Sequence, residues 1–286
     1  MPTLPYHVVD VFTATPYAGN PLAVVLGADD LPTEALQSIA REFNLSETAF
    51  PMASDRADYR VRIFTPNGEL PFAGHPSIGT AWLLARLGRI PTGSVRQDCG
   101  AGILPVEVGP DGATLTGGPA TVGEPLDPAP LLASVGLAAG DLSGLAPVRS
   151  AGAGLPWTYL PVAEDAVARA VPDWAALVPA VSTEGLAVFS WSAGAAHLRA
   201  FTVEPFEDPA TGSAALGLGI YLAASGLVPD GTTAYRIAQG AEMGRPSTLE
   251  GTVTATGGTV EAVTVHGRVV PVATGEITPP GAARSG

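Results

Sequence analysis

One stretch of this chain occurs twice. Residues 74–88 and 212–226 align without a gap and agree at Gly74/Gly212, Gly79/Gly217, Leu84/Leu222, Ala85/Ala223 and Gly88/Gly226. Each copy has an apolar body and a closing Gly where a left-handed C-terminal cap belongs, so each predicts one helix. In the first copy Pro76 reads as the first helical residue, which puts His75 beside the N-cap and leaves backbone N–H groups pointing outward. Such a helix start binds anions. Both bodies are apolar nearly all round, through Ile78, Trp82 and Leu84 in one and Leu218, Ile220 and Leu222 in the other, which predicts two buried central helices rather than surface ones.

Other landmarks recur in the same order. Gly19-Asn20-Pro21 matches Gly154-Leu155-Pro156, Arg62-Ile63-Phe64-Thr65 matches Arg199-Ala200-Phe201-Thr202, and Arg96 with Gly100-Ala101 matches Arg236 with Gly240-Ala241. Including the helix starts, the offset drifts from 135 through 137 and 138 to 140. An ordered series with slow drift is what a duplicated domain leaves. At 286 residues the chain has room for two domains. The expected division is an N-terminal lobe over 1–118 and a C-terminal lobe over 119–259. The tail, 260–286, reads as a hairpin turning at His266-Gly267-Arg268 and joining one of the two lobes.

Local patterning fills in the halves. Strands are expected at 7–12, 22–26, 48–52 and 59–65, and a helix over 33–43, where Leu36, Ile39, Ala40 and Phe43 share one face. A hairpin is expected from 102–108 and 113–117 around Pro110-Asp111-Gly112. Pro119 to Pro147 is an Ala/Gly/Pro-rich connection with a short helix at 129–135. Each half thus predicts an α+β arrangement of mostly antiparallel strands with a central helix.

Composition excludes several functions. The net charge of -13 disfavours nucleic acid and anionic membrane surfaces, either of which needs a basic patch. All fourteen basic residues are Arg, and without Lys there is no Schiff-base or phosphate-loop lysine. Cys99 is the only cysteine, so an intramolecular disulfide and two-thiol chemistry are ruled out. No group of His, Cys and acidic residues has metal-ligand spacing and no G-x-G-x-x-G follows a strand, so neither a metal nor a dinucleotide cofactor is expected. The N-terminus lacks the pattern of a signal peptide and no apolar run approaches ~18 residues, which predicts a soluble cytoplasmic protein.

Two equivalent helix starts in a duplicated chain suggest a pseudo-twofold cleft holding a small carboxylate, with N–H donors and positive partial charge in place of Lys. The halves differ where chemistry would have to differ: His75 corresponds to Ser213, and the loop before the second helix carries Glu204, Glu207 and Asp208. Each residue also has a plainer reading. Asp208 fits a solvated loop carboxylate or helix cap, His75 a satisfied cap beside Pro76, Ser213 an N-cap, and Glu47 an ordinary loop residue after a helix stop.

Five blocks bear on these readings. VDVFTATPYAGNPLAVV, FNLSETAF, FTPNGELPFAGHPSIGTAW, EPFEDPATGSAA and QGAEMGRPS, in this order and over nearly the whole chain, resemble the phenazine-biosynthesis isomerase (PhzF-like) family. The resemblance implies a diaminopimelate-epimerase-like fold of two pseudo-symmetric lobes, each a sheet or barrel wrapped around its central helix, usually a homodimer and without a cofactor. Epimerases of that wider fold carry a Cys at each helix start, positions filled here by Ala73 and Thr211. By the same resemblance Glu47 is the acid/base, His75, Asp208 and Ser213 position the substrate and share protons, and Asn20, Gly74, Thr211 and Gly212 line the binding site. The implied activity is movement of a proton on a small cyclic amino- or hydroxy-carboxylate, as in trans-2,3-dihydro-3-hydroxyanthranilate isomerisation. A hydrolase or lyase using Asp208 and His75, or a binding protein that keeps the cleft, is the alternative.

Overall fold

The computed structural model describes residues 3–280. Its strands, in chain order, are β1 (Leu4–Val11), β2 (Asn20–Val25), β3 (Glu47–Met52), β4 (Tyr59–Phe64), β5 (Glu69–Leu70), β6 (Gly93–Cys99), β7 (Gly102–Val108), β8 (Gly112–Thr116) and β9 (Thr121–Val122). They continue with β10 (Arg149–Gly152), β11 (Trp157–Pro161), β12 (Gly185–Ser192), β13 (Ala195–Thr202), β14 (Glu207–Asp208), β15 (Gly231–Gln239), β16 (Ser247–Thr256) and β17 (Thr259–Ile277). The helices are α1 (Thr33–Phe43), α2 (Gly74–Arg86), α3 (Pro128–Ser134), α4 (Glu164–Arg169), α5 (Trp174–Ala180) and α6 (Gly212–Ala224). The chain divides into two compact units, one running to Leu115 and resuming at Gly267, the other Thr116–His266.

In the first unit β1, β2, β3, β4, β6, β7, β8 and the later part of β17 pair in that cyclic order, and β17 returns to β1, so the sheet closes into a barrel. Two of these pairings, β2 with β3 and β4 with β6, are parallel. Parallel neighbours cannot be joined by a tight turn and need a crossover, commonly a helix. Helix α1 makes the first crossover and α2 the second. Helix α1 buries Ala35, Leu36, Ile39 and Ala40 against Val25, Phe50 and Phe64, and it ends at Asn44 in the left-handed conformation. Helix α2 is buried from His75 to Leu84, so it has no solvent face over that length and fills the barrel.

The second unit repeats this scheme. Strands β9, β10, β11, β12, β13, β15, β16 and the first part of β17 follow one another, with β11–β12 and β13–β15 parallel, and the amide of Gly117, ahead of β9, donates to Val263 O on β17 at 2.8 Å. From β1 to β8 and from β10 to β17, leaving out the two-residue β5 and β14, the pairings run antiparallel, parallel, antiparallel, parallel, antiparallel, antiparallel. The duplication is therefore structural as well as sequential. Helix α6 is buried at nearly every position from Gly212 to Ala223. Helices α3, α4 and α5 cover β11, β12 and β13 through Leu132, Val135, Val167, Leu177, Leu186 and Phe201.

The repeated glycines inside the central helices have a steric reason. A Cβ on Gly79 would lie 2.7 Å from Leu22 Cδ2, and one on Gly217 would lie 2.3 Å from Tyr159 Oη. Each lets a barrel wall approach the helix closely.

Three expectations are corrected. The C-terminal hairpin expected at 260–286 does not form around His266-Gly267-Arg268, through which β17 runs unbroken to Ile277; positions 281–286 lie outside the described residues. Gly267 is there because a Cβ would stand 2.6 Å from the buried Phe12 ring, a need for space that looks like a turn in sequence. The actual turn precedes it, at Gly257-Gly258, both at positive φ, as a two-residue hairpin favours. Helix α2 opens at Gly74 with Ala73 as N-cap, so Pro76 lies within the first turn rather than at its first position and His75 is a helical residue. Ser213 is likewise not an N-cap, since that position belongs to Thr211. Among the described residues no helix is long and apolar enough to cross a membrane.

Candidate active site

The first unit gathers four of the expected residues. Parallel pairing of β2 and β3 sets Leu22 opposite Glu47, which puts the strand starts Asn20 and Glu47 at the same end of the barrel. Asn20 is fully buried, and its Oδ1 accepts a hydrogen bond from Ser46 Oγ at 3.2 Å, tying β2 to the residue before Glu47. The first turn of α2 brings Gly74 and His75 to this end. His75 Nε2 lies 3.6 Å from Glu47 Oε2, with side-chain exposures of 5% and 16%. A carboxylate and an imidazole this close and this shielded interact strongly, because little water screens them. The arrangement can take up and release a proton.

The second unit gathers the other four. Asp208 sits on β14, and its Oδ2 accepts from Thr211 Oγ1 at 2.6 Å. Thr211 is the N-cap of α6, although no side-chain cap bond is made, because its hydroxyl is turned to Asp208. Gly212 opens the helix and Ser213 follows, its Oγ accepting from Trp157 Nε1 at 3.0 Å. Asp208 is held in place by its neighbour: Glu207 makes two 2.8 Å hydrogen bonds to Arg199 on β13. The same device stands in the first unit, where Arg62 on β4 makes two bonds to Glu69 on β5, at 2.7 and 2.6 Å. In both pairs the carboxylate raises the arginine's pKa, chiefly through the side-chain hydrogen bond.

Sequence reasoning did not single out Ser46 or Trp157, and it named Arg199 only as a repeat landmark and Glu207 only as one of three loop carboxylates, without pairing them. The Arg62/Arg199 match and the Glu69/Glu207 spacing were the available signal for the last two. Among the described residues no cluster of three or more His, Cys, Asp and Glu side chains is placed to hold a metal ion. Cys99 is buried at the end of β6, with its Sγ 3.5 Å from Gly102 O, and neither helix opening carries a thiol.

Paired barrels, each wrapped around a buried helix, define the epimerase-like fold. A hydroxyproline epimerase from Agrobacterium vitis shares it with a TM-score of 0.63 at 16% identity over 96% of this chain and 91% of that one. The particular family follows from closer matches. The model of the family described as phenazine biosynthesis-like protein matches residues 9–275. Trans-2,3-dihydro-3-hydroxyanthranilate isomerase of Pseudomonas aeruginosa is 36% identical over 92% of this chain and 95% of its own length. A Mesorhizobium japonicum protein named only as an uncharacterised isomerase is 38% identical over 97% and 99%. The Bacillus anthracis phenazine biosynthesis protein of the PhzF family superposes with a TM-score of 0.89 at 26% identity, covering 97% of this chain and all of that one. The chain belongs to the phenazine biosynthesis-like, or PhzF, family.

Proposed function

We propose that this protein is a cofactor-independent isomerase that moves a proton between two carbons of a small cyclic amino- or hydroxy-carboxylate. The observation that carries the reading is the shielded Glu47–His75 pair, 3.6 Å apart at the mouth of the α2 helix. The Glu47 carboxylate takes a proton from one carbon, and the electron pair of that C–H bond shifts into the adjacent unsaturated system. The same carboxyl group then returns a proton to a second carbon, so the reaction is redox-neutral. His75 polarises and orients Glu47, and polar groups suited to binding a small carboxylate stand at each helix opening, Gly74 in the first unit and Asp208, Thr211, Gly212 and Ser213 in the second. The names of the isomerases that match almost the full chain support this reading. Family resemblance likewise supports a cytoplasmic homodimer, which light scattering of the purified protein would test.

The experiment is isomerisation of trans-2,3-dihydro-3-hydroxyanthranilate followed by proton NMR. The reading expects the substrate's double bonds to move with no added cofactor. A protein that binds the compound and leaves its C–H bonds unchanged over many hours, while a small panel of related cyclic amino acids is equally inert, contradicts it.

A further inference from the structure

Two buried glutamines do matching work. In the first unit Gln97 on β6 is fully buried. Its Oε1 accepts from Tyr59 Oη at 2.8 Å and its Nε2 donates to Ser77 Oγ at 2.9 Å. Ser77, in the opening turns of α2, in turn donates to Ala73 O at 2.9 Å. The chain Tyr59–Gln97–Ser77–Ala73 thus ends on the residue before Gly74 and His75. In the second unit Gln239 on β15 is 2% exposed. Its Nε2 donates to Asp208 O at 2.8 Å and to Thr211 Oγ1 at 2.9 Å, while its Oε1 accepts from the Thr211 amide at 3.2 Å.

Strands β6 and β15 hold the same place in the two barrels, each parallel to the strand before the central helix. Yet the two glutamines are not aligned with each other. With Arg96 set on Arg236, Gln97 falls on Ile237 and Gln239 on Cys99. A role kept by residues at different alignment positions reflects a demand of the site rather than inheritance from the duplicated ancestor. An amide suits that demand because it donates and accepts at once and carries no charge into the core. Burying it is tolerable only while both ends are bonded, so each glutamine fixes the geometry of what it touches. Tyr59 is a permanent donor in this chain, since burial raises its phenol pKa far above the ordinary value.

We infer that Gln97 and Gln239 are positioning residues for the reaction: Gln97 sets the α2 opening that aims His75 at Glu47, and Gln239 sets Asp208 and Thr211 at the α6 opening. This rests on the proposed isomerase reading. A misplacement of about 1 Å in such a site costs up to ~100-fold in rate.

The test uses Gln97→Met, Gln239→Met, Gln97→Glu and Gln239→Glu in the full-length protein, with trans-2,3-dihydro-3-hydroxyanthranilate as probe. Each Met variant keeps the side-chain length and removes both hydrogen-bonding groups, and kcat/KM should fall ~10–100-fold at every pH. Each Glu variant, when protonated, restores a donor and an acceptor, so its activity relative to wild type should recover as pH falls; a role in packing alone predicts no such profile. A substrate-free readout separates this inference from the isomerase reading: the His75 imidazole NMR signals should move in Gln97→Met. A Met variant within about twofold of wild type, or a Glu variant whose relative activity is flat with pH, removes that glutamine from the account. Unmoved His75 signals in Gln97→Met remove Gln97 even if no probe is turned over, whereas an inert wild type with shifted His75 signals counts against the isomerase reading alone.

Discussion

Glu47 Oε2 and His75 Nε2 are 3.6 Å apart although 28 residues separate them in sequence, one at the start of a barrel strand and the other in the first turn of the helix that fills the barrel. The contact depends on two long-range features. The parallel β2–β3 pairing fixes Glu47 at the same end as Asn20, and α2, buried from His75 to Leu84 within the closed barrel, brings His75 to that end. Chemistry at this end of the unit therefore depends on packing that spans most of its length.

The Arg–Glu pairs that brace the two-residue strands should differ in strength. Arg199 and Glu207 have side-chain exposures of 9% and 15%, against 16% and 39% for Arg62 and Glu69. Removing one partner of a shielded pair leaves a buried charge and costs several kcal/mol, whereas an exposed pair is worth about 1 kcal/mol or less. Glu207→Gln should lower the unfolding free energy by ~3 kcal/mol and Glu69→Gln by no more than ~1 kcal/mol. Urea denaturation of both variants measures the difference, and equal losses would contradict the burial argument.

Glu69 also gives a pH dependence of defined sign. The hydrogen bond from Arg62 holds its carboxyl below the ordinary value of 4.5. A carboxyl lowered on folding stabilises fully above its unfolded pKa and loses that contribution as pH falls through the folded one. The gap in stability between wild type and Glu69→Gln should therefore be constant from neutral pH down to about 5 and close progressively below 4.5. Denaturation curves across that range check it; a gap that widens on acidification would reverse the sign.

Gly217→Ala sets two effects against each other. Alanine improves helix propensity by ~1 kcal/mol, but its Cβ would stand 2.3 Å from Tyr159 Oη and 2.8 Å from Ala151 O. Overpacking of a rigid wall costs ~1–3 kcal/mol, and relieving this contact means moving a buried tyrosine whose hydroxyl donates to Ala214 O at 2.7 Å. The variant should melt at a lower temperature than wild type. A higher melting temperature would show that the barrel wall yields freely.

Cys99→Ser should keep wild-type turnover within about twofold, because the thiol lies at the end of β6 and the helix openings carry Ala73 and Thr211 instead. Loss of activity in a variant with an unchanged circular dichroism spectrum would reopen thiol chemistry.

Much of this was legible in the chain, for physical reasons. Helix α1 falls at the predicted 33–43 because its apolar face is strictly periodic, and the two central helices follow from bodies that are apolar all round. The repeat order gave two similar α+β lobes, and the sheet or barrel around each central helix came from the family resemblance rather than from local patterning. Parallel pairings such as β2–β3 leave no local trace, since periodicity reports burial and not the partner strand. The short α4 and α5 carry too few residues for a period to show. Gly267 misled because close approach and tight turns demand the same residue. Glu47 needed the family resemblance, and Gln97 and Gln239 were invisible for a related reason: a glutamine's importance lies in its partners, which only the fold brings together.

The central claim is that Glu47 moves the proton. Glu47→Gln keeps the size of the side chain and most of its hydrogen bonding but cannot accept the proton. General acid–base catalysis contributes ~10²–10⁴-fold, so kcat for isomerisation of trans-2,3-dihydro-3-hydroxyanthranilate should fall by at least ~100-fold while folding and binding of the compound persist. A Glu47→Gln protein that turns over within a few-fold of wild type would contradict the account and pass the acid/base role to Asp208.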